Sequence, residues 1–496
     1  MNHWIVAPII VPALFAGVLA LVGERHELQR KLGGFSVVLQ LLIALLLIGQ
    51  ASQNDVLVYA LGDWLAPFGI VLVLDRLSAI MLLTSSVLAT FCLFHAMRGE
   101  DAQGRFFHPL FQFQLMGLNG AFLTGDLFNL FVFFEVLLIS SYGLLLHGGG
   151  AARMRAGLHY VVLNLVGSLL FLIGVGAVYG ITGTLNMADI AHKLTLLEGS
   201  AALLAQSAAF LLLVVFALKA AAFPMYLWLP DAYASAMAPV AALFAIMTKV
   251  GIYAIVRVHM VVFAPSAGAA TPDVNSWLLP IGLITMGLAI VGAIASPDLR
   301  RLIAYLTLLS VGILLSLIGA EGTVGLGAAL YYLVHSTLAS AALFLIAGLV
   351  RELRGVAQDR LARNGARVLP MWLGVLFLFA AAAMAGLPPL SGFLGKIMVL
   401  QAVQDHTAAV WLWTAVLITS FLAVLTLARA GIVLFWEARP RVGDMVAVQA
   451  GSLPTIGLLA CLIMMSVYAS PVKRFTDAAA VQLSDRGAYI SAVLQR

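Results

Sequence analysis

Three of the six lysines in the sequence, Lys219, Lys249 and Lys396, interrupt long apolar stretches of bilayer-spanning character, and so does one carboxylate, Glu135. An ionisable group at the centre of a bilayer costs at least about 2.5 kcal/mol, so a line of them reads by default as a path for an ion or a proton. Lysine suits proton handling, because a buried ammonium can give up its proton and a guanidinium cannot. The 21 arginines fall mostly in loops while half of the lysines are interior, a division that favours titration over anchoring.

Each candidate has a local context. Glu135 ends the run Asp126-Leu-Phe-Asn-Leu-Phe-Val-Phe-Phe-Glu135, with aliphatic residues after it, so a charged form requires a cationic partner nearby. Asp126 reads as the cap of that helix. Lys249 lies thirteen residues into a segment of about 26, too central for its side chain to reach either interface. His335 has Tyr331 four residues before it and Ser336 and Ser340 on an adjacent face, and imidazole suits a relay between two lysines. His159, near a segment end, is a weaker candidate. Arg257, His259 and Arg429 read as end-of-helix residues snorkelling to the interface, and Asp75 with Arg76 as the opening of the third segment.

The elements that must position these groups are membrane helices. With 62% hydrophobic and 10% charged residues among 496, the chain lies far outside the composition of soluble domains, where about 25% are charged. The hydropathy pattern predicts an all-α membrane protein of about fourteen transmembrane helices. They fall near 5–22, 33–49, 75–95, 106–124, 127–147, 157–180, 201–222, 237–262, 276–295, 301–319, 324–350, 370–403, 409–436 and 452–471. The first has no small-residue cleavage site and is expected to be retained. If the loop Glu24–Lys31 is cytoplasmic, that side collects 16 Lys/Arg against 5 opposite, which puts both termini outside. The basic residues are thus orientation signals and give no support to a nucleic-acid role.

No loop is long enough for a soluble catalytic domain; the largest are 50–74, 351–369 and the tail after 472. Cys92 and Cys461 lie inside apolar helices, which excludes a disulfide framework or a thiol metal site. No phosphate-cradling glycine loop, His/Cys set with metal-ligand spacing or nucleophile motif occurs. The expectation is therefore a chain with no cofactor and no metal of its own, and a transporter in place of an enzyme.

Two segments depart from plain spanning helices. Residues 369–403 as one helix would reach about 52 Å against a hydrocarbon core of about 30 Å, and the run Gly386-Leu-Pro-Pro-Leu-Ser-Gly392 removes amide donors in its middle. Ser391 is placed to cap the second half, with Lys396 about a turn and a half beyond it. In Phe216-Ala-Leu-Lys-Ala-Ala-Ala-Phe-Pro224 a proline follows Lys219 by five residues while the hydrophobicity continues. Broken segments seven and twelve, each beside a lysine, predict two five-helix repeats, 106–262 and 276–436. An odd number of helices makes them inverted, with residues 1–105 before them and 437–496 after them.

Taken together, these residues resemble the antiporter-like membrane subunits shared by respiratory complex I, membrane-bound hydrogenases and Mrp-type multisubunit cation/proton antiporters. The resemblance covers nearly the whole chain. It rests on Glu135, on Lys219 before Pro224 and Trp228-Leu-Pro-Asp231, on Ala238-Pro-Val-Ala-Ala-Leu with Lys249 after it, on Asp298-Leu-Arg-Arg-Leu-Ile-Ala-Tyr305, and on Gly386-Leu-Pro-Pro-Leu-Ser-Gly-Phe-Leu-Gly-Lys396. Within the family the chain looks most like the D-type Mrp subunits. The resemblance implies Glu135 and Lys219 as a charge pair modulating proton affinity, Lys249 as the connecting lysine, His335 as a link and Lys396 as the terminal lysine. It also implies other membrane subunits as partners, with protons and sodium as cargo. The alternative it carries is a proton-pumping subunit of a redox-driven complex. Many relatives place a lysine a turn after the histidine of the eleventh segment, 324–350, where this chain has Leu338-Ala339-Ser340, so that stretch is left to His335, hydroxyls and water.

Overall fold

A backbone in hydrocarbon must satisfy its own amides, and apolar runs of this length do so as helices. The computed structural model describes residues 2–53, 56–321, 325–362, 369–436 and 452–495. Arg363 and Arg367 of the arginine-rich loop and the expected boundary at residue 437 lie outside the described residues. In chain order the helices begin with α1 (Ala7–Val22), α2 (His26–Gln53), α3 (Arg76–Ala96), α4 (Phe107–Leu123), α5 (Leu127–Leu146), α6 (Ala151–Thr182) and the short α7 (Met187–Leu194). Next come α8 (Gly199–Lys219), α9 (Trp228–Ser235), α10 (Ala238–Phe244), α11 (Met247–Ile255), α12 (Asn275–Ala295), α13 (Leu299–Glu321) and α14 (Leu326–Arg354). The last are α15 (Met371–Ala385), α16 (Ser391–Ala402), α17 (Ala409–Gly431), α18 (Leu453–Val467), α19 (Ala469–Ser484) and α20 (Arg486–Leu494).

One expectation is corrected, and the number of spans is met in part. The fold is nearly all-helical, but the segment expected as the loop 50–74 holds an antiparallel hairpin of β1 (Leu57–Ala60) and β2 (Val71–Leu74), with Leu57 opposite Leu74. Among the described residues ten helices are long and apolar enough to cross a bilayer, or eleven if α18 and α19, bent by 81°, form one span. Three further expected segments are shorter helices, α1 of 16 residues, α4 of 17 and α15 of 15. Segment eight is one span over Ala238–Val262, with a tightened turn between α10 and α11, where the amides of Ala245 and Ile246 turn to carbonyls three residues back, and a π-helical turn over Val256–Val262.

The centre of the bundle is made by α10–α11, α13 and α14, which are almost wholly enclosed by protein, whereas α2, α6, α12 and α17 present more than half of their residues outward. A charge on a central helix therefore has only protein or enclosed water for company. Ion pairs tie the basic loops together on one face: Arg30 to Asp101 at 2.7 Å, Arg98 to Glu352 at 3.0 Å, Arg300 to Asp359 at 3.0 Å and Arg301 to Asp231 at 2.7 Å.

Asp75 caps α3 in a reciprocal box with Ser78, and Asp126 caps α5 by accepting the Asn129 amide at 2.8 Å, both as their positions predict. Arg257 is different from its expected snorkelling role. It is fully buried, and its guanidinium grips the Asp75 carboxylate through both terminal nitrogens at 2.5 and 2.9 Å. His259 is buried too, with Nε2 3.0 Å from the Ala209 carbonyl. Arg429 is exposed, in keeping with its end position.

Candidate functional site: a row of buried charges

The two helix breaks are where the row is anchored, and each is held by groups that complete the interrupted backbone. Past Lys219, the last residue of α8, the Leu218 carbonyl accepts from the Trp228 indole at 3.2 Å, and the Phe223 amide donates to Thr285 Oγ1 at 3.0 Å. Trp228 is stacked on Tyr160 of α6, with ring centroids 5.0 Å apart. At the second break the open carbonyl of Ala385, at the end of α15, accepts from Lys396 Nζ at 2.7 Å. The two lysines thus sit differently: Lys219 ends the first half-helix, and Lys396 reaches back from within the second to the last carbonyl of the first. Cations are favoured at a helix C-terminus by the helix dipole.

Glu135 is half-buried on α5, and its Oε1 accepts from the Ser168 hydroxyl of α6. Lys219 Nζ donates to the backbone oxygen and Oδ1 of Asn164, both at 3.3 Å, one turn before Ser168 on α6. No direct ion pair joins Glu135 to Lys219, although Glu135 is close enough to act on Lys219 electrostatically. The expected charge pair is a bridged one, with α6 supplying the polar spacer. Sequence reasoning passed over Asn164 and Ser168; their i, i+4 spacing on a helix flanked by Glu135 and Lys219 is the signal that was available.

Lys249, fully enclosed on α11, donates to Ser310 Oγ of α13 at 2.7 Å. The helix carrying it lies hard against the end of α8: a Cβ at Gly251 would come within 2.5 Å of the Ala220 amide nitrogen. His335 on α14 is 1% exposed, with Nδ1 2.9 Å from Ser391 Oγ. Ser391 is therefore a partner of His335, and it makes no cap bond as the first residue of α16. The residues expected to surround His335 point elsewhere: Tyr331 donates to the Met465 carbonyl at 3.1 Å, and Ser336 to the Leu333 carbonyl. Lys396 completes its shell with Ser420 Oγ of α17 at 2.9 Å. His159 is exposed on α6, apart from this row.

The groups form a succession of packed neighbours, α5 to α6 to α8 to α11 to α13 to α14 to α16 to α17. Between Ser310 and His335 no hydrogen bond is made among the described residues. On the helices that carry Lys249 and His335, the buried hydroxyls of Thr248 and Ser340 have no protein partner, and groups of that kind are ordinarily completed by water. Such an arrangement can hold and pass protons over hydroxyl, imidazole and ammonium groups. A substitution at the tightest point tests it. A Cβ at Gly392 would collide with the Ala383 carbonyl oxygen and come within 2.8 Å of His335 Nε2. Gly392→Ala is expected to unseat the His335–Ser391 contact and slow transport by about tenfold, checked by vesicle assays on complexes of normal subunit content. Wild-type rates would remove the His335–Ser391 contact from the row.

The chain has recognisable relatives. Residues 124–426 match the family described as NADH:quinone oxidoreductase/Mrp antiporter, TM. The D subunit of a probable K(+)/H(+) antiporter of Rhizobium meliloti is 41% identical over 97% of this chain and 96% of its own length. The D subunit of the Na(+)/H(+) antiporter of Alkalihalophilus pseudofirmus is 37% identical over 100% of both. Among solved structures, a chain of the Mrp complex from Dietzia sp. superposes with a TM-score of 0.87 at 28% identity, covering 100% of both chains.

Proposed function

The chain belongs to the NADH:quinone oxidoreductase/Mrp antiporter transmembrane family, and from that membership we propose that it is the D-type membrane subunit of a hetero-oligomeric monovalent cation/proton antiporter. Protons move along the row Glu135, Lys219, Lys249, His335 and Lys396. The observation that carries this reading is the succession of packed helices from α5 to α17, in which hydrogen-bonded sections Glu135–Ser168 and Asn164–Lys219, Lys249–Ser310, and His335–Ser391 with Lys396–Ser420 follow one another. A cation arriving near Glu135 competes with Ser168 for the carboxylate and repels the ammonium of Lys219. That repulsion drives its proton onward past α11. Between Lys249 and His335 the hydroxyls of Thr248, Ser310 and Ser340 and intervening water carry it. The named relatives differ in cation, potassium in one and sodium in the other, so the cargo is assigned only as a monovalent cation.

The same reading takes the chain as fourteen spans in the cell membrane of a prokaryote, with inverted five-helix repeats at 106–262 and 276–436 between the segments 1–105 and 437–496. Both termini are then outside. Its support is the gathering of basic loops on one face by the pairs Arg30–Asp101, Arg98–Glu352 and Arg300–Asp359. Bare apolar faces, such as Leu165, Leu169 and Ile173 on α6 and Ile418, Phe421 and Leu425 on α17, suit lipid and partner membrane subunits. The rival reading, a redox-driven proton pump, shares the family description, and the names of the most similar relatives weigh against it.

Lys219→Ala and Glu135→Ala, each in a normally assembled complex, are expected to cut cation-driven proton movement in everted vesicles by at least about tenfold. Full activity in both would refute the row as a conduction path.

A further inference from the structure

On the arginine-rich face, between the end of α3, the segment after it and the end of α14, lies a polar cavity of about 360 Å³. The exposed Arg98, Gln103 and Glu352 are among its lining residues, and Arg98 pairs with Glu352 at 3.0 Å. Two inner side chains have an unused polar atom. His95, 2% exposed, leaves Nδ1 without a hydrogen-bond partner, and Glu100 leaves Oε2 buried without one. Unpaired buried polar atoms on a cavity wall are costly unless water completes them, and this cavity has room for several. None of these residues belongs to the row already described.

The cavity is connected to the row through two helices. Gly348 of α14 forms one wall, 3.6 Å from His95 Nε2 when measured from the position of an added Cβ, and it packs on Ala238, the first residue of α10. From Ala238, α10 leads to α11 and Lys249. From Gly348, α14 runs roughly 12 Å to Ser340, whose hydroxyl is buried and unpartnered. The helices that carry Lys249 and His335 thus lead away from the Ala238 and Gly348 side of a cavity lined by an imidazole and a carboxyl.

We propose that this cavity is a proton port, in which Glu100 and His95 exchange protons between the arginine-rich face and the Lys249–His335 section of the row. The port rests on the conduction reading above and adds to it the place where protons join or leave. Burial raises the Glu100 carboxyl to about 7, against the opposing influence of Arg351 and Arg98, so it changes charge around neutral pH. The charged groups facing it are Arg98 beyond α3, Arg153 on α6 and Arg351 with Glu352 on α14; α10 presents only the backbone of Ala238. Its neighbour Asp101 is committed to Arg30, at 2.7 and 2.8 Å, and to His108 at 3.1 Å, and so is withdrawn from the port. On the loop side, His147 Nε2 lies 3.3 Å from the Glu100 carbonyl oxygen.

The test uses the assembled complex in everted vesicles. Glu100→Gln and His95→Gln are expected to slow cation-driven proton movement about tenfold, and Glu100→Gln to flatten its dependence on the pH of the arginine-rich side between about 6 and 8. In a Cys461→Ala background, with the buried Cys92 as internal control, His95→Cys should react with a membrane-impermeant thiol reagent from that side only. Wild-type rates and pH dependence in both Gln variants, with Lys249→Ala inactive, would overturn the port and leave the row standing; an active Lys249→Ala would overturn the row itself. Protection of the cysteine by inorganic phosphate, with unaltered pH dependence in Glu100→Gln, would reassign the cavity to anion binding.

Discussion

Lys249→Arg is expected to be as inactive as Lys249→Ala, with cation-driven proton movement reduced at least about 100-fold in both. The two substitutions separate conduction from scaffolding. Arginine keeps the charge, fills the volume and can donate to Ser310 as the ammonium does at 2.7 Å, so a side chain needed only as a fixed charge would be largely replaced by it. A guanidinium does not release its proton, so a relay would stop. Lys249 is fully enclosed on a helix packed next to α8, so its proton exchanges with enclosed groups and not with bulk solvent. Measurement of proton uptake in vesicles containing complexes of matched subunit content decides it, and substantial activity in Lys249→Arg would remove lysine titration from the mechanism.

Asp75→Ala should destabilise the subunit by about 3 to 5 kcal/mol, the cost of leaving the buried Arg257 guanidinium without its carboxylate. Arg257 is held on both sides. Its Nε is 3.2 Å from the Tyr253 hydroxyl, which donates onward to the Phe122 carbonyl at 2.8 Å, and its charge lies over the Tyr253 and Tyr489 rings at 5.4 and 5.9 Å. The pair therefore joins α3, the α11 end and the C-terminal α20, and its loss should lower the thermal midpoint of the solubilised complex by several degrees. The double variant Asp75→Leu/Arg257→Met should recover most of that loss, since no unpaired charge remains. If the double variant is no more stable than Asp75→Ala, the pair is needed for its specific geometry and the desolvation argument fails.

Asp75 and Arg257 also mark the limit of reading a linear chain. Arg257 sits near the end of an apolar segment, and depth along a helix is what periodicity and length report; from that alone, snorkelling is the natural reading. What reverses it is a carboxylate 182 residues away, brought opposite by packing. Glu135 and Lys219 tell the same story in a milder form. Both were legible as interior charges, but the polar spacer of Asn164 and Ser168 was not, because neutral amides and hydroxyls in helices carry no conspicuous cost in the sequence. The tightened turn inside segment eight went unseen for a related reason. No proline or glycine marks Ala245 and Ile246, and the tightened turn there arises where α10 and α11 are enclosed by α8, α13 and α14.

What the sequence determined by itself was whatever a local property dictates. The solvent follows from hydropathy, because nothing but lipid suits so many apolar residues. The breaks beside Lys219 and Lys396 follow from prolines that cannot donate. The candidate row follows from the expense of charge in hydrocarbon. Tertiary structure alone decided the partners: Ser168 for Glu135, Asn164 for Lys219, Ser310 for Lys249, Ser391 for His335, and Ala385 and Ser420 for Lys396. A hydrogen bond between helices depends on their rotation and registry, which the summed packing of many distant side chains sets and no single segment encodes.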